Sequence, residues 1–404
     1  MSARRLKVMI DARMLIGPMS GVARFVTRMV DEIAAQENVD VIALCGPQPY
    51  EPWRDRSDVK LVTSSFDLRH RTVTRRLLWE QLRLPGLVQR VDPDVFHATW
   101  NFGVPQHPSA PVVLTVHDLI PWHECHAYYP SRWHRLCYRR AIRTSVRRAT
   151  VVTTVSNHVR DDLVRTLAID PRGVSVVPNG VDAPGAVKRS SSPERPYVLY
   201  VGGHESRKNV AGVLAAMSRY WNAYEGELEL RLTGTRESLS ADAAAAYRGL
   251  KPETAVQFIG TVGDDELGRL YAGATALLLL SRAEGFGLPA LEAMAHGCPV
   301  IAANAASLPE VVGDAGLLVD PDDSDQVCGA IRRLVTDSSL RNLLVQRGRE
   351  RAARFSWRSA AAQMREAYEQ AAGMAAVARG KRRPPVSSSL PYAKRPAAAF
   401  RIDG

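Results

Sequence analysis

With 404 residues, 46% hydrophobic and 24% charged, the chain is too long for one ordinary core and has globular composition, so two domains are expected. No apolar run approaches the ~20 residues of a membrane-spanning helix, and five cysteines at 45, 125, 137, 298 and 328 contain no C-x-x-C pair. That set argues against a disulfide framework and against a zinc site, while the net charge of +11 leaves anionic partners open.

The chain starts "MSARRLKVMIDARMLIGPMSG". Its apolar segment is short and interrupted by Asp11 and Arg13, so it reads as a first strand rather than a signal peptide, and a cytoplasmic location is expected. The following helix is marked by Val22, Phe25, Val26, Met29, Val30 and Ile33 at i, i+3, i+4 spacing, which gives one face to pack on a sheet. Further β-branched runs follow: "DVIALC", "VKLVT", "DVFHATW", "PVVLTV", "TVVTTVS" and "VSVVP". Continuous rather than alternating apolar strands indicate a parallel sheet covered on both faces.

Between Cys125 and Arg160 there is no Asp or Glu but there are eight arginines, and Arg132, Arg135, Arg139, Arg143 and Arg147 recur at helical spacing. Such a basic face is either simply solvated or it meets an anionic membrane surface or anionic substrate. Nucleic acid is not expected, because no stacking aromatic pattern or known motif accompanies the charge.

The Pro-, Ser- and charge-rich stretch around 186–196 reads as an interdomain linker. Strand and helix alternation restarts at 197 with "YVLYV", "LELRLTG", "VQFIG", "ALLLLS", "PVIAAN" and "AGLLVD"; Val210, Val213, Leu214 and Met217 mark one of the intervening helices. The expected organisation is a Rossmann-like domain over 1–185, the linker 186–196, and a second Rossmann-like domain with terminal helices over 197–378. A basic, Pro- and Ser-rich disordered tail is expected over 379–404. Ligands of two such α/β sheets bind outside the carboxyl ends of the strands, in the cleft between domains.

The densest chemistry lies in "SRAEGFGLPALEAMAHGCPVIAAN", residues 281–304. Two carboxylates, Glu284 and Glu292, stand eight positions apart in a stretch otherwise nearly free of charge. Glu284 follows an apolar strand; Pro289 suits the first position of a helix, and Gly297 suits its end. The backbone N–H groups near Gly287 and Leu288 would then point out of the helix N-terminus and suit a phosphate. Glu292, one turn in, presents two acceptor oxygens to a vicinal diol. A nucleotide sugar carries a diphosphate and two diols. By spacing alone, the alternative is that Glu292 is an exposed helix residue and Glu284 a loop charge.

"SRAEGFGLPALEAMAHGCPVIAANAASLPEVVGDAGLLVDP" (281–321) resembles the signature of the GT4-type retaining glycosyltransferases of GT-B fold, whose E-x7-E motif is met by Glu284 and Glu292. The likeness continues, in the family's order, through "IDARMLIGPMSGVARF", "DVFHATW", "VVLTVHDLIPW", "TVVTTVSNHVRDDL", "SVVPNGVD", "YVLYVGGHESRKNV" and "FIGTVGDDELGRLYAGATALLLL". It spans nearly the whole chain except the tail.

The resemblance implies a GT-B fold, with two doubly wound parallel-sheet domains facing a central cleft. It implies that Glu292 holds the ribose of the donor, that Glu284 contacts the transferred sugar, and that the amides around Phe286, Gly287 and Leu288 serve the sugar and diphosphate. Lys208 matches the family lysine on the diphosphate, with Arg207 as a second cation. Many members place an arginine where this chain has Gly203, and Arg207 would substitute. His117 in "TVHDL" matches the histidine beside the reaction centre. Asp118 orients it or binds acceptor, and His97 is a weaker acceptor-side candidate. Gly21 matches the glycine loop that approaches the phosphates; the site is not extended beyond it, because Ala23 replaces a glycine common there. Ser156 and Asn179 fall in family-like motifs without assignable chemistry.

The expected reaction transfers a hexose with retention of anomeric configuration. Positioning and leaving-group neutralisation do the catalysis. Neither a metal nor a cofactor is needed, since Lys208, Arg207 and the helix N-terminus supply positive potential. The donor is a nucleotide diphosphate sugar, with GDP-mannose as the working hypothesis. The acceptor is a glycan or lipid-linked glycan at the inner membrane face, in assembly of a surface polysaccharide such as O-antigen, capsule or exopolysaccharide. Within the same fold, a nucleotide-sugar epimerase, a sucrose- or trehalose-synthase-like enzyme, or an inactive binding protein are the alternatives.

Overall fold

The computed structural model describes residues 4–16, 19–65, 73–129, 131–182, 195–224, 228–250 and 255–378. Most of the expected linker and the whole of the expected tail lie outside these residues.

Each apolar run becomes a strand. The first sheet contains β1 (Leu6–Asp11), β2 (Val39–Cys45), β3 (Val59–Thr63), β4 (Val95–Ala98), β5 (Val112–Val116), β6 (Val151–Thr154) and β7 (Val174–Val176), all parallel, in the order β3-β2-β1-β4-β5-β6-β7. The second contains β8 (Tyr197–Tyr200), β9 (Glu229–Leu232), β10 (Val256–Phe258), β11 (Ala276–Leu279), β12 (Val300–Ala303) and β13 (Leu317–Val319), also parallel, in the order β10-β9-β8-β11-β12-β13. Both orders reverse direction once, between β1 and β4 and between β8 and β11, and the crevices at these points are where doubly wound sheets take ligands. Every residue of β5 and β11 is buried, which explains their unbroken apolar sequence.

Helix α1 (Gly21–Ala34) buries Phe25, Val26, Met29, Val30 and Ile33 against the first sheet, as its periodicity predicts. Ser20 caps it, its hydroxyl accepting from the Ala23 amide at 3.2 Å. Helices α2 (Val73–Leu82) and α3 (Leu84–Val91) lie beyond β3. The long basic helix is Arg132–Arg148. Its arginines are not one free face. Arg139 and Arg143 stack over Trp122 at 5.2 and 5.0 Å, and Arg135 and Arg139 donate to the carbonyls of Tyr129 and Trp122.

The last helix, Trp357–Ala378, is contiguous in sequence with the second domain but packs on the first, against α1 and the strands β4, β5 and β6. The chain therefore crosses between the domains a second time. Gly180 sits at this crossing, where a Cβ would lie 2.1 Å from the Trp357 amide nitrogen.

Candidate active site

The exit of β8 leads through Gly202 and Gly203 to a short turn, Ser206–Lys208. Asn209 follows at φ 55° and caps the helix Val210–Ala223. Its Oδ1 accepts from Gly212 N at 3.1 Å, and its Nδ2 donates to the Pro321 carbonyl at 2.8 Å. An asparagine accepts this left-handed backbone more readily than most residues do, because its short side chain bonds locally. It fixes Lys208 at the mouth of the β8/β11 crevice. Lys208 Nζ then bonds Glu284 Oε1 at 2.6 Å. Arg207 Nη1 lies 3.8 Å from Glu284 Oε2 and donates to the Ala283 carbonyl, while its Nε donates to Tyr128 Oη of the first domain. Both expected cations thus converge on the expected sugar-binding carboxylate.

Glu284 opens a tight turn. At Gly285 a Cβ would fall 2.1 Å from the His117 carbonyl oxygen, so only glycine lets the second domain come this close to the first. Gly287 has φ 105° and forms the N-cap of the helix Leu288–Ala295. Ser307 ties the turn down, its Oγ lying 3.0 Å from the Glu284 carbonyl and 2.9 Å from that of Phe286. The amides of Phe286, Gly287 and Leu288 donate to no acceptor among the described residues and surround the helix N-terminus. The Phe286 ring packs edge-on against Phe355, so the residue offers a ligand its amide rather than its ring. Gly21 of the first domain faces this turn, its Cβ position 3.5 Å from Leu288 Cδ1.

Glu292 is nearly enclosed. Its Oε2 accepts from Tyr271 Oη at 3.1 Å and its Oε1 lies 3.1 Å from Arg24 Nη1 of α1. Burial raises its pKa above the usual carboxylate value, opposed by the Arg24 charge and the Tyr271 hydroxyl. Arg24 also reaches Asp264 at 2.5 Å.

On the first-domain side, His117 follows β5. Its amide donates to Asn101 Oδ1, and its Nε2 donates to the Thr99 carbonyl at 2.9 Å, which leaves Nδ1 as the acceptor nitrogen. Burial lowers its pKa to about 4, so the ring is neutral at neutral pH. Asp118 accepts from the Ile120 amide, and burial raises its pKa. It belongs to the same cluster as Arg207 and Glu284, whose charges act on it.

His97 is the exception. It is fully buried behind the cleft, its Nε2 bonded to Thr115 Oγ1 and its Nδ1 to Tyr368 Oη, both at 2.8 Å. Both nitrogens are committed to the core, so the residue has nothing to present to an acceptor, contrary to the expectation from its strand-end position.

Four contributors escaped the sequence reading. Arg24 lies three positions past Gly21, where the reading stopped at Ala23. Tyr271, Asn209 and Ser307 all sit inside or beside recognised stretches, but nothing in their spacing signals their partners. Ser156 gains a structural role. It caps the helix Asn157–Leu167 and donates to the Gly285 carbonyl at 2.8 Å, joining the two domains. Among the described residues no cluster of three or more His, Cys, Asp or Glu is gathered to hold a metal.

Residues 19–183 match the family model for Glycosyltransferase Family 4, and residues 186–351 match that for Glycosyl transferases group 1. The chain is 30% identical over 389 residues to O-antigen chain mannosyltransferase B of Escherichia coli, covering 90% of this chain and all of the relative. The chain is a GT4-type glycosyltransferase. The transferase is also 32% identical to an MMP alpha-(1->4)-mannosyltransferase of Mycolicibacterium hassiacum, over 70% of its own length and 72% of the relative's. Its fold is that of sucrose-phosphate synthase from Thermosynechococcus elongatus, with a TM-score of 0.72 at 22% identity over 91% of this chain and 99% of the other. It is likewise that of Anabaena HepE, solved in complex with UDP and glucose, with a TM-score of 0.69 at 17% identity over 90% of this chain and all of the other. The two facing parallel-sheet domains are thus a GT-B fold.

Proposed function

We propose that this glycosyltransferase moves a hexose, with retention of configuration, from a nucleotide diphosphate sugar to a hydroxyl of a glycan or lipid-linked glycan in surface polysaccharide assembly. The observation that carries this reading is the convergence at one crevice of Lys208 and Arg207 on Glu284, beside free amides at 286–288 and the enclosed Glu292. The ribose diol bonds Glu292, replacing Arg24 at one oxygen. The diphosphate lies against the helix N-terminus and the two cations, which neutralise the charge that develops as the sugar–phosphate bond breaks. Neutral His117 offers Nδ1 to a hydroxyl of the sugar. These cations make a metal unnecessary in this proposal.

Mannose from GDP-mannose is the first donor to test, supported by the mannosyltransferase relatives. Thermal stabilisation by a panel of nucleotide sugars in EDTA, for the wild type and for Glu292→Ala, tests the site. Selective stabilisation of the wild type identifies the donor. Stabilisation by none, or only after metal is restored, removes the proposal in whole or in its metal-independent part.

The acceptor side fits a membrane-surface location. No described helix is long and apolar enough to cross a membrane. Trp133 and Leu136 of the helix Arg132–Arg148, with Leu78 and Leu82 of the contacting α2, are nevertheless exposed, at 62%, 58%, 60% and 73%, among surface arginines. Apolar side chains framed by cations suit the interface of an anionic bilayer. Cosedimentation with phosphatidylglycerol vesicles, lost in Trp133→Ser/Leu136→Ser, is the expected result.

A further inference from the structure

A groove of about 1020 Å³ lies where β2 and β3 end, walled by helices α2 and α3. Its lining combines Trp79, whose ring carries the Arg13 guanidinium on one face, with the guanidinium-bearing Arg83 and Arg90 and the hydroxyl-bearing Thr63 and Ser65. Sugars present a C–H face that packs on an aromatic ring and hydroxyls that bond guanidinium and hydroxyl groups, so this set has saccharide chemistry.

The groove is fixed relative to the reaction centre. Arg13 lies 4.5 Å over the Trp79 ring and is held by Asp11 through two bonds of 2.8 and 2.6 Å. Thr99 Oγ1 donates to the Asp11 carbonyl, and the Thr99 carbonyl accepts from His117. A continuous line of buried contacts thus runs from the groove wall to His117. The strand order places β2 and β3 three and four positions from β5, so the groove stands on the order of 14–19 Å from His117 along the carboxyl edge of the sheet. A single sugar at the reaction centre does not reach that far.

Resting on the transferase reading, we propose that the groove is a remote acceptor subsite. It holds sugar residues of an oligosaccharide several units back from the hydroxyl that is glycosylated, so the enzyme extends an existing chain in preference to a monosaccharide. Binding of remote sugars fixes the reacting hydroxyl and contributes to turnover as well as to affinity.

The test uses α-linked mannose oligosaccharides of one to five residues. Their Kd values are measured by titration calorimetry against the full chain, with stabilisation by the panel of nucleotide sugars measured in parallel. The wild type is expected to bind the pentasaccharide at least tenfold more tightly than the monosaccharide. Trp79→Ala is expected to abolish most of that ratio. Should Trp79→Ala fail to fold, Gly86→Trp serves instead, since a Cβ at this groove position meets nothing within 4 Å and the indole would occupy the groove. Length-independent binding, or a ratio unmoved by Gly86→Trp, overturns the subsite. Nucleotide-sugar stabilisation alongside that result leaves the transferase reading standing; its absence overturns both.

Discussion

Arg24 of the first domain and Glu292 of the second meet across the cleft at 3.1 Å, the carboxylate held on its other side by Tyr271. The pair makes the proposed ribose site part of the domain interface. Burial raises the Glu292 pKa and the Arg24 charge opposes that rise. Arg24→Met removes the opposing charge, so the carboxyl titrates at higher pH. The ionised form accepts both diol hydrogens and is the binding form, and it is lost as pH falls through the folded pKa. Donor affinity in Arg24→Met should therefore begin to fall at a higher pH than in the wild type, with the difference read as a displaced midpoint in thermal shift against pH. An unmoved midpoint would separate Glu292 from donor binding.

The strands were the legible part of this chain, because buried parallel strands carry their burial in unbroken apolar runs such as Val112–Val116 and Ala276–Leu279. Glu284, Glu292 and Lys208 were legible through motif and order. Contacts between domains were not. Arg24 reads as one more polar residue on a helix whose period serves the core; its partner is far along the chain. His97 and His117 both end apolar strands, and sequence does not separate them. What separates them is Tyr368, 271 residues from His97, carried on a last helix that returns to the first domain.

Gly285 tests how closely the domains must approach. An added Cβ would stand 2.1 Å from the His117 carbonyl oxygen, backbone that cannot turn aside. Gly285→Ala should push the turn bearing Glu284 away from the first domain. A displacement on the order of 1 Å at a reaction centre can cost ~100-fold in rate. Donor transfer should fall by about that factor, with a smaller change in melting temperature because the residue lies in the cleft. Transfer within a few-fold of wild type would show that the closed approach is not needed for chemistry.

The two buried histidines make stability depend on pH. Burial lowers the pKa of His117 to about 4 and of His97 to about 3, with the His117 neighbour adding to the effect at His97. Unfolded, both titrate near 6.5. Between 6.5 and 4 the unfolded chain binds more protons than the folded chain, so stability is full above about 6.5 and is lost as pH falls. Each histidine contributes a slope on the order of 1.4 kcal/mol per pH unit in that window. Urea midpoints from pH 7 to 4.5 should fall steeply in the wild type and more gently in His97→Gln. Equal slopes would mean that His97 takes up its proton alike in the folded and unfolded states, so that burial does not lower its pKa.

Tyr368 decides whether His97 is structural. Its hydroxyl bonds Nδ1 in the closed core, where no water-exposed surface remains on either residue. Tyr368→Phe keeps the ring and its edge-on contact with the imidazole but leaves one buried nitrogen unpaired. Stranding such a group costs about 1–3 kcal/mol. Chemical unfolding should show a loss of that size, while donor and acceptor KM stay at wild-type values, because neither ring reaches the cleft. A change in acceptor KM without loss of stability would instead return His97 to the substrate side and require the last helix to move during turnover.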